Sequence, residues 1–319
     1  MGILLSSPEV SPALATLIDR LKRSDMAALA RCITLTESGG PASDVVHRAI
    51  QELTGRAIVV GFSGPPGAGK STLIDAFISL LRAERKTIAV AAVDPSSPIS
   101  GGSVLGDRIR MQRHTSDPGV FIRSIASRGH LGGLSESIHR VVDLMDASGR
   151  DVVIVETVGA GQSEVEIVEV ADLCIVVNAP NLGDDIQAIK AGILEIADIL
   201  VVNKADLPLA SRTTDQLKSM LKLRSSNQNV AVIETVATTG KGVESLVAAV
   251  EARGILTAEE KRARRSRRIQ RLVAQLAGRR VRDRVLGLAS AEASAIFTSA
   301  LEARISIAEA ADRVLEVLL

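Results

Sequence analysis

One stretch of the chain has the residue types and spacing of a phosphate-binding loop: Gly64-Pro65-Pro66-Gly67-Ala68-Gly69-Lys70-Ser71, followed by Thr72. In such a loop the glycines let successive backbone N–H groups point inward around a phosphate, and the N-terminus of the following helix adds positive potential. Lys70 is placed to reach the β- and γ-phosphates, and the Ser71 hydroxyl to bind Mg²⁺. We therefore predict that residues 64–72 bind a nucleotide with its magnesium ion.

The segments on either side of this loop match the setting that the motif needs. Residues 57–63 form a short apolar, β-branched run, which predicts a buried strand, and residues 72–81 predict a helix. A Gly-rich turn that matched the pattern by chance would not require this order of strand, loop and helix. The context therefore favours a nucleotide site.

A second motif, Asn203-Lys204-Ala205-Asp206, follows the apolar run 199–202 and indicates which base is bound. The two carboxylate oxygens of Asp206 can accept from N1–H and the exocyclic amine of guanine together. Adenine has no such pair of donors at that edge, so the motif predicts GTP rather than ATP. Backbone contacts to the base are predicted from the loop after the last strand, at Val236, Ala237 and Thr238.

Acidic residues at other strand ends are candidates for catalysis and for holding the metal. Glu156 follows the run 151–155, where nucleotide hydrolases place an acid that binds Mg²⁺ directly or through water. Its side chain is longer than the commoner Asp, which favours contact through water. The backbone N–H of Gly159 can sense the γ-phosphate.

Two aspartates each admit two interpretations. Asp94 ends the run 87–93, and Asp107 lies in a Gly-rich loop that can close around a γ-phosphate and Mg²⁺. Both fit as metal ligands, and both also fit as helix N-caps or turn acids. Position alone leaves the two interpretations open.

The elements that must position these residues are strands alternating with helices. The predicted strands are apolar throughout, which indicates strands covered on both faces of a mostly parallel, doubly wound α/β sheet of the P-loop type. Ligands bind at the carboxyl ends of such strands. The predicted strands are 57–63, 87–93, 119–123, 151–156, 172–178, 198–203 and 230–236.

Helical segments flank this sheet domain in the sequence. We predict an N-terminal helical extension over 1–55, a GTPase domain over 56–254 and a C-terminal helical arm over 255–319. The arm has several apolar faces, and it either lies on the sheet domain or pairs with a second copy. Its basic run, 261–271, is best explained as a solvated helix face, with binding of nucleic acid or an acidic protein as the alternative.

Composition excludes several classes of protein. The net charge of +1 gives no global attraction to nucleic acid or membrane, and with 1% aromatic residues and no Trp or Tyr, base-stacking surfaces are not expected. The two cysteines, Cys32 and Cys174, lie in apolar runs, which favours buried, reduced thiols. The absence of a long apolar run or a signal-peptide pattern predicts a cytoplasmic protein.

Further motifs extend the pattern beyond the loop and the guanine motif. They are Val-Asp-Pro-Ser-Ser-Pro at 93–98, Gly-Gly-Ser-Val-Leu-Gly-Asp-Arg at 101–108, Arg-Gly-His-Leu-Gly-Gly-Leu-Ser at 128–135 and Glu-Thr-Val-Gly-Ala-Gly-Gln-Ser-Glu at 156–164. Together these motifs resemble the bacterial MeaB/ArgK-type GTPases, which are metallochaperone GTPases of the SIMIBI class. The human relative is the methylmalonic aciduria type A protein. The resemblance covers roughly residues 10–319.

The resemblance implies a Mg²⁺-dependent GTPase that serves as a chaperone for an adenosylcobalamin-dependent acyl-CoA mutase. It implies gating of cofactor loading, protection or reactivation of the mutase, and a homodimer joined through the C-terminal helices. It places Mg²⁺ near Ser71 and Asp107, with contributions from Glu156 and Asp94. It also makes the loop with Asp184 and Lys190 a third switch that couples to the mutase.

Two features bear on rate and on alternatives. Ala160 follows Gly159 where signalling GTPases often carry a water-orienting Gln, so slow intrinsic hydrolysis is expected. A SIMIBI GTPase that delivers a metal should carry a Cys- or His-rich cluster, but the cysteines are isolated and His47, His114, His130 and His139 are scattered. An ATPase linked to amino-acid transport is disfavoured by the guanine motif.

Overall fold

A computed structural model of the chain describes residues 11–94, 112–126, 136–157, 163–180, 196–222, 230–254 and 258–318. These residues belong to two compact units, Met1–Arg264 and Arg265–Leu319. The first unit contains the sheet and the candidate site, and the second is helical.

Seven strands form one sheet in which every neighbouring pair is parallel, in the order β3-β2-β4-β1-β5-β6-β7. This confirms the predicted doubly wound α/β fold. Each predicted apolar run overlaps one strand, although β2, β3 and β4 end one to three residues later than predicted. The strands are β1 (Ile58–Ser63), β2 (Ile88–Asp94), β3 (Val120–Ala126), β4 (Val152–Thr157), β5 (Leu173–Asn178), β6 (Ile199–Val202) and β7 (Ala231–Glu234).

The described helices are numbered here in chain order. In the first unit they are α1 (Pro12–Lys22), α2 (Met26–Ser38), α3 (Pro41–Ile50), α4 (Lys70–Ala83), α5 (Glu136–Ala147), α6 (Ser163–Val170), α7 (Ala210–Lys222) and α8 (Val243–Gly254). Helix α9 (Ala258–Leu286) runs across the boundary of the units, and α10 (Ala291–Leu301) and α11 (Ile307–Leu318) follow it.

Alternate residues of the central strands supply two separate apolar cores, one on each face of the sheet. Val60 and Phe62 of β1 belong to the core shared with α4, and Val59 belongs to the core shared with α1, α2, α3 and α5. The rings of Phe62 and Phe77 are fully buried and meet edge to face, with centroids 5.7 Å apart. Each such burial stabilises the fold by about 2–3 kcal/mol, so β1 and α4 are held firmly on either side of the loop between them.

Carboxylates tie the amino edge of the sheet together. Asp172 accepts from the N–H of Val59 at 2.9 Å, and Asp198 accepts from the N–H of Cys174 at 2.8 Å. Such charge-assisted bonds satisfy strand N–H groups that would otherwise lack a partner at the sheet edge. This edge lies opposite the carboxyl ends that carry the candidate site.

The N-terminal helices are fastened to the sheet domain by polar contacts. Arg123 of β3 donates to Glu37 of α2 at 2.6 Å. The carboxylate of Asp146, at the end of α5, accepts from three successive N–H groups of the chain entering β1, those of Gly55, Arg56 and Ala57. The entry to the sheet is therefore anchored just before the strand that carries the loop.

Both cysteines are buried free thiols, as predicted. Burial raises the pKa of Cys32 to about 11 and holds the pKa of Cys174 above its ordinary range, with the charge of Asp198 adding to the second shift. Neither thiol is therefore suited to nucleophilic or metal-binding chemistry in the folded protein.

The second unit exposes many large apolar side chains. The hydroxyl of Ser306 accepts from the N–H of Glu309 and so caps the start of α11. Among the residues of this unit whose exposure the structure describes, eight large apolar ones are exposed: Ile269, Val273, Val281, Leu286, Phe297, Leu301, Ile307 and Leu315. Among the helices that the structure describes, none is both long and apolar enough to cross a membrane.

Candidate functional site

The loop between β1 and α4 has positive φ angles at its three glycines, a conformation that favours glycine. Gly64, Gly67 and Gly69 have φ of 133°, 79° and 87°. A Cβ at Gly64 would lie 2.1 Å from the carbonyl oxygen of Val177, and one at Gly69 would lie 2.5 Å from Nδ2 of Asn203. A Cβ at Gly67 would meet nothing within 4 Å. The outer glycines are thus fixed by close packing, and the middle one by its φ alone.

Lys70 and Ser71 begin α4 and are both buried. The ammonium group of Lys70 donates to the carbonyl oxygens of Gly64 and Pro65, at 2.6 and 3.0 Å. These contacts hold the positive charge at the mouth of the loop, where phosphate oxygens can replace the carbonyls as acceptors. The side chain is therefore placed for the phosphate contact that the sequence predicts.

The Ser71 hydroxyl donates to Oε1 of Glu156 at 2.7 Å, which joins the start of α4 to the end of β4. The pairing of β4 with β1 sets this approach, because Glu156 is opposite Phe62 in the register. Both side chains are buried, so a hydroxyl oxygen and a carboxylate face each other away from water. Oxygen donors of this kind suit Mg²⁺. Of the four predicted metal ligands, the structure brings these two into contact.

Asn203 connects the phosphate loop to the predicted base loop. Its Nδ2 donates to the carbonyl oxygen of Ala68 at 2.9 Å. Its Oδ1 accepts from the hydroxyl of Thr235 and from the N–H of Ala237, each at 3.1 Å. The residue is 2% exposed. Asn203 is thus a structural brace, and Thr235 is a member of this network that sequence reasoning did not single out.

Lys204 and Asp206 occupy the outer side of the same turn. Lys204 has φ of 55° and donates from Nζ to the carbonyl oxygen of Gly67 at 2.8 Å, so it spans the loop. Asp206 is exposed, and its carboxylate is open to a ligand. Within one four-residue motif, therefore, two residues hold the loops and one remains free to contact the base.

The predicted base-contacting loop is only partly open to a ligand. The N–H of Val236 donates to the carbonyl oxygen of Lys241 at 2.9 Å, and the N–H of Ala237 is bonded to Asn203. Both residues are buried, whereas Thr238 is exposed. Among these three, Thr238 is the residue best placed to contact a guanine.

Four of the predicted site residues, Asp107, Gly159, Asp184 and Lys190, lie outside the described residues. The backbone of Asp94 ends β2, the strand next to β4, so it lies at the same edge as Glu156.

Sequence reasoning also missed a buried acid on the helix that follows the loop. Asp75 of α4 is 4% exposed, and its carboxylate contacts the guanidinium of Arg113 and Nε2 of His114. Burial and the neighbouring charge of Arg113 lower the pKa of His114, which favours its neutral form. The sequence signal was a polar stripe at helical spacing, formed by Asp75, Ser79 and Arg82.

A phosphate loop braced to a guanine-type motif at the carboxyl edge of a parallel sheet is the arrangement that a guanine nucleotide requires. Comparison with known proteins agrees. Residues 29–291 match the family model described as methylmalonyl-CoA mutase-associated GTPase MeaB. The chain belongs to this family. As a MeaB-family member it is a P-loop GTPase that binds guanine nucleotide.

Individual relatives and a solved structure support this assignment. A protein of Pyrococcus horikoshii that is named a GTPase is 53% identical over 235 residues, which cover 72% of this chain and 74% of that protein. The mitochondrial methylmalonic aciduria type A homolog of Mus musculus is 38% identical, over 71% of this chain and 59% of that protein. A crystal structure of a LAO/AO transport system kinase matches with a TM-score of 0.74 and 27% identity, covering 97% of this chain and 98% of that one. The resemblance stated from the motifs is thereby confirmed.

Proposed function

We propose that this GTPase is a chaperone for an adenosylcobalamin-dependent acyl-CoA mutase of the methylmalonyl-CoA mutase type. In this role it gates the loading of the cofactor and protects or reactivates the mutase. The observation that carries the proposal is the match of residues 29–291 to a family named for its association with that mutase. Bound GTP or GDP would then report the loading state to the partner.

Mg²⁺ is proposed as the metal of the site, held by Ser71 and Glu156 with Asp94 and Asp107. The facing oxygens of Ser71 and Glu156 support this assignment, because Mg²⁺ takes oxygen ligands and usually keeps several waters. When bound, Mg²⁺ would neutralise charge on the β- and γ-phosphates. In this proposal Glu156 contacts the metal through water, as its length suggests.

The chain's own residues would do the rest by positioning and by charge. Lys70 and the backbone N–H groups of residues 67–72 hold the phosphates, and the N–H of Gly159 contacts the γ-phosphate. Asp206 selects guanine, and Thr238 supports the base. With Ala160 where other GTPases carry a water-orienting Gln, hydrolysis by the isolated protein is slow, and the partner accelerates it by ordering the surrounding loops.

Coupling to the partner is proposed to run through the loop that carries Asp184 and Lys190, and assembly through the second unit. The apolar side chains exposed on α9, α10 and α11 support a homodimer, because monomers rarely leave so many large apolar groups in water. The mutase would then meet a two-fold symmetric chaperone.

The other roles considered have less support. Within the described residues, no group of three or more His, Cys, Asp or Glu side chains could hold a metal ion, so nothing there favours delivery of nickel or zinc. The similar LAO/AO kinase is named for a transport system, and that name describes the crystallised kinase alone. The guanine motif here favours GTP over ATP.

The test is single-turnover hydrolysis of GTP by the purified protein, alone and with an adenosylcobalamin-dependent methylmalonyl-CoA mutase. We expect faster hydrolysis with the mutase, and a loss of about 100-fold or more in Lys70→Ala under both conditions. Equal rates with and without the mutase would contradict the chaperone role. Unchanged turnover in Lys70→Ala would contradict the phosphate-loop assignment itself.

A further inference from the structure

A polar stripe on α4 faces the short segment that leads into β3. Asp75, Ser79 and Arg82 are four and three residues apart, which places them on one side of the helix. The segment 112–119 lies against this side and is held at two points. These contacts belong to no step of the chemistry described above.

The first point is Asp75. Its carboxylate contacts the guanidinium of Arg113, and its Oδ1 lies 3.1 Å from Nε2 of His114. The same Nε2 lies 3.2 Å from the backbone carbonyl oxygen of Asp75 and 3.5 Å from Oγ of Ser79. The Asp75 side chain is 6% exposed and that of Arg113 is 75% exposed. The buried carboxylate of Asp75 is thus paired with the guanidinium of Arg113, a mostly exposed side chain.

The second point is Arg82, in the last turn of α4. Its Nε and terminal nitrogen donate to both oxygens of Asp117, at 2.8 and 2.9 Å. The side chains of Arg82 and Asp117 are less buried, at 23% and 27% exposure. The carboxylate at the first point is therefore the more deeply buried of the two.

The two points lie at different distances from the nucleotide site. With a rise of 1.5 Å per residue, Asp75 lies about 6 Å along the axis from Ser71, and Arg82 lies about 16 Å from it. In the sequence, Arg113 is six residues after Asp107, the predicted metal ligand, whereas Asp117 is ten residues after it. The first point is therefore the nearer to the site along the helix axis, and the nearer to Asp107 in the sequence.

A buried carboxylate is costly unless it is paired, and in some proteins a buried ionic group serves to fix one geometry. We infer that Asp75, paired with Arg113, is a positioning residue for GTP hydrolysis: it fixes to the nucleotide-binding helix the chain that leads back to Asp107. Asp75 itself contacts neither nucleotide nor metal in this inference. The inference rests on the proposed role of Asp107 as a Mg²⁺ ligand.

The test is the dependence of GTP hydrolysis on Mg²⁺ concentration in Asp75→Asn, Arg113→Ala and Asp117→Asn. Loss of a group that orients a ligand typically costs about 10-fold or more in metal affinity. We therefore expect half-activation to need about 10-fold more Mg²⁺ in the first two variants, with the rate at saturating Mg²⁺ nearly unchanged. Arg113→Lys, which keeps the charge, should restore most of the wild-type value.

Asp117→Asn is the matched control, because it weakens the second point, the contact with Arg82 on the same helix. It should lower the melting temperature while leaving half-activation by Mg²⁺ at the wild-type value. Wild-type Mg²⁺ dependence in Arg113→Ala, or an equal shift in Asp117→Asn, would overturn the inference. Arg113→Ala decides the matter if Asp75→Asn fails to fold, since the Arg113 side chain is mostly exposed.

The outcomes also separate this inference from the proposed metal role. Hydrolysis by the wild-type protein that does not depend on Mg²⁺ would overturn both. A wild type that needs Mg²⁺, with variants that match it, would overturn only the positioning role of Asp75.

Discussion

Asp206 and Asn203 belong to one short motif, yet they do different work. Asn203 is buried and uses both ends of its amide on the protein, whereas Asp206 is exposed. A substitution at Asn203 would loosen two loops at once. A substitution at Asp206 should leave the loops in place and change only the hydrogen-bonding group that faces the base.

Asp206→Asn should therefore change nucleotide preference without unfolding the site. An amide offers a donor where the carboxylate offered only acceptors, so affinity should move from GTP toward xanthosine triphosphate. Removal of a charged hydrogen-bonding partner costs about 2–3 kcal/mol, which predicts a loss of about 30- to 150-fold in GTP affinity. Calorimetry with both nucleotides measures the change.

Asp215→Asn provides the control, because it removes the same charge from an exposed position on α7. Its affinities should equal those of the wild type. Retained GTP affinity in Asp206→Asn, with no gain for the xanthine nucleotide, would count against the guanine assignment.

At the scale of elements, the N-terminal helices α2 and α3 are joined partly by a polar side chain that titrates. His47 of α3 is partly buried, and its Nε2 lies 3.3 Å from the hydroxyl of Thr36 on α2. Burial, and to a smaller extent the charge of Arg140, lowers the pKa of His47 from 6.5 to about 4, against a weaker opposing effect of Asp44. The folded state therefore favours the neutral imidazole.

This shift predicts a loss of stability on acidification. Between pH 6.5 and about 4 the unfolded chain binds a proton at His47 that the folded chain does not, so the contribution is present above pH 6.5 and is lost as the pH falls. In His47→Asn the slope of unfolding free energy against pH should be smaller, by up to about 1.4 kcal/mol per pH unit. Urea unfolding from pH 4.5 to 7.5 measures both slopes.

Comparison at pH 7.5 separates this effect from lost packing, since neither protein carries a charge at position 47 there. Parallel pH profiles for wild type and variant would show that His47 is not a source of acid sensitivity. His114, whose pKa is also lowered by burial, is present in both proteins and cancels in the difference.

The strands and the phosphate loop could be predicted because their signals are local. An apolar run such as residues 152–155 and a fixed pattern such as residues 64–71 each carry their meaning within a few residues. The bonds from Asn203 to Ala68 and Ala237, and the contacts of Asp75, join residues that are distant in the chain. Their partners are set by strand order and helix packing, which no short window of sequence contains.

At the scale of the whole molecule, the two units differ in how they treat apolar side chains. The sheet unit buries most of its large apolar groups in two cores, whereas the second unit leaves residues such as Leu286 and Leu301 at 80% and 87% exposure. Burying exposed apolar area gains about 25 cal/mol per Å², which favours a second copy as the partner of these helices.

The protein should therefore be a dimer in solution, and a variant with Leu286→Glu and Leu301→Glu should be a monomer. Charged groups at these positions would have to lose water on association. Sedimentation equilibrium with circular dichroism reports mass and fold together. Leu207→Glu, which changes an exposed leucine of the sheet unit, is the control and should remain dimeric. A monomeric wild type would refute the dimer.

The amide of Asn203 also has a thermodynamic consequence. One planar amide bonds both the loop predicted to hold the phosphates and the loop predicted to contact the base, so ordering either loop should lower the cost of ordering the other. The binding free energies of the phosphates and of the base would then be coupled rather than additive. A base that fits poorly would therefore lower the affinity of the loop for the phosphates. Through this amide, selectivity for guanine would also affect the γ-phosphate, where hydrolysis takes place.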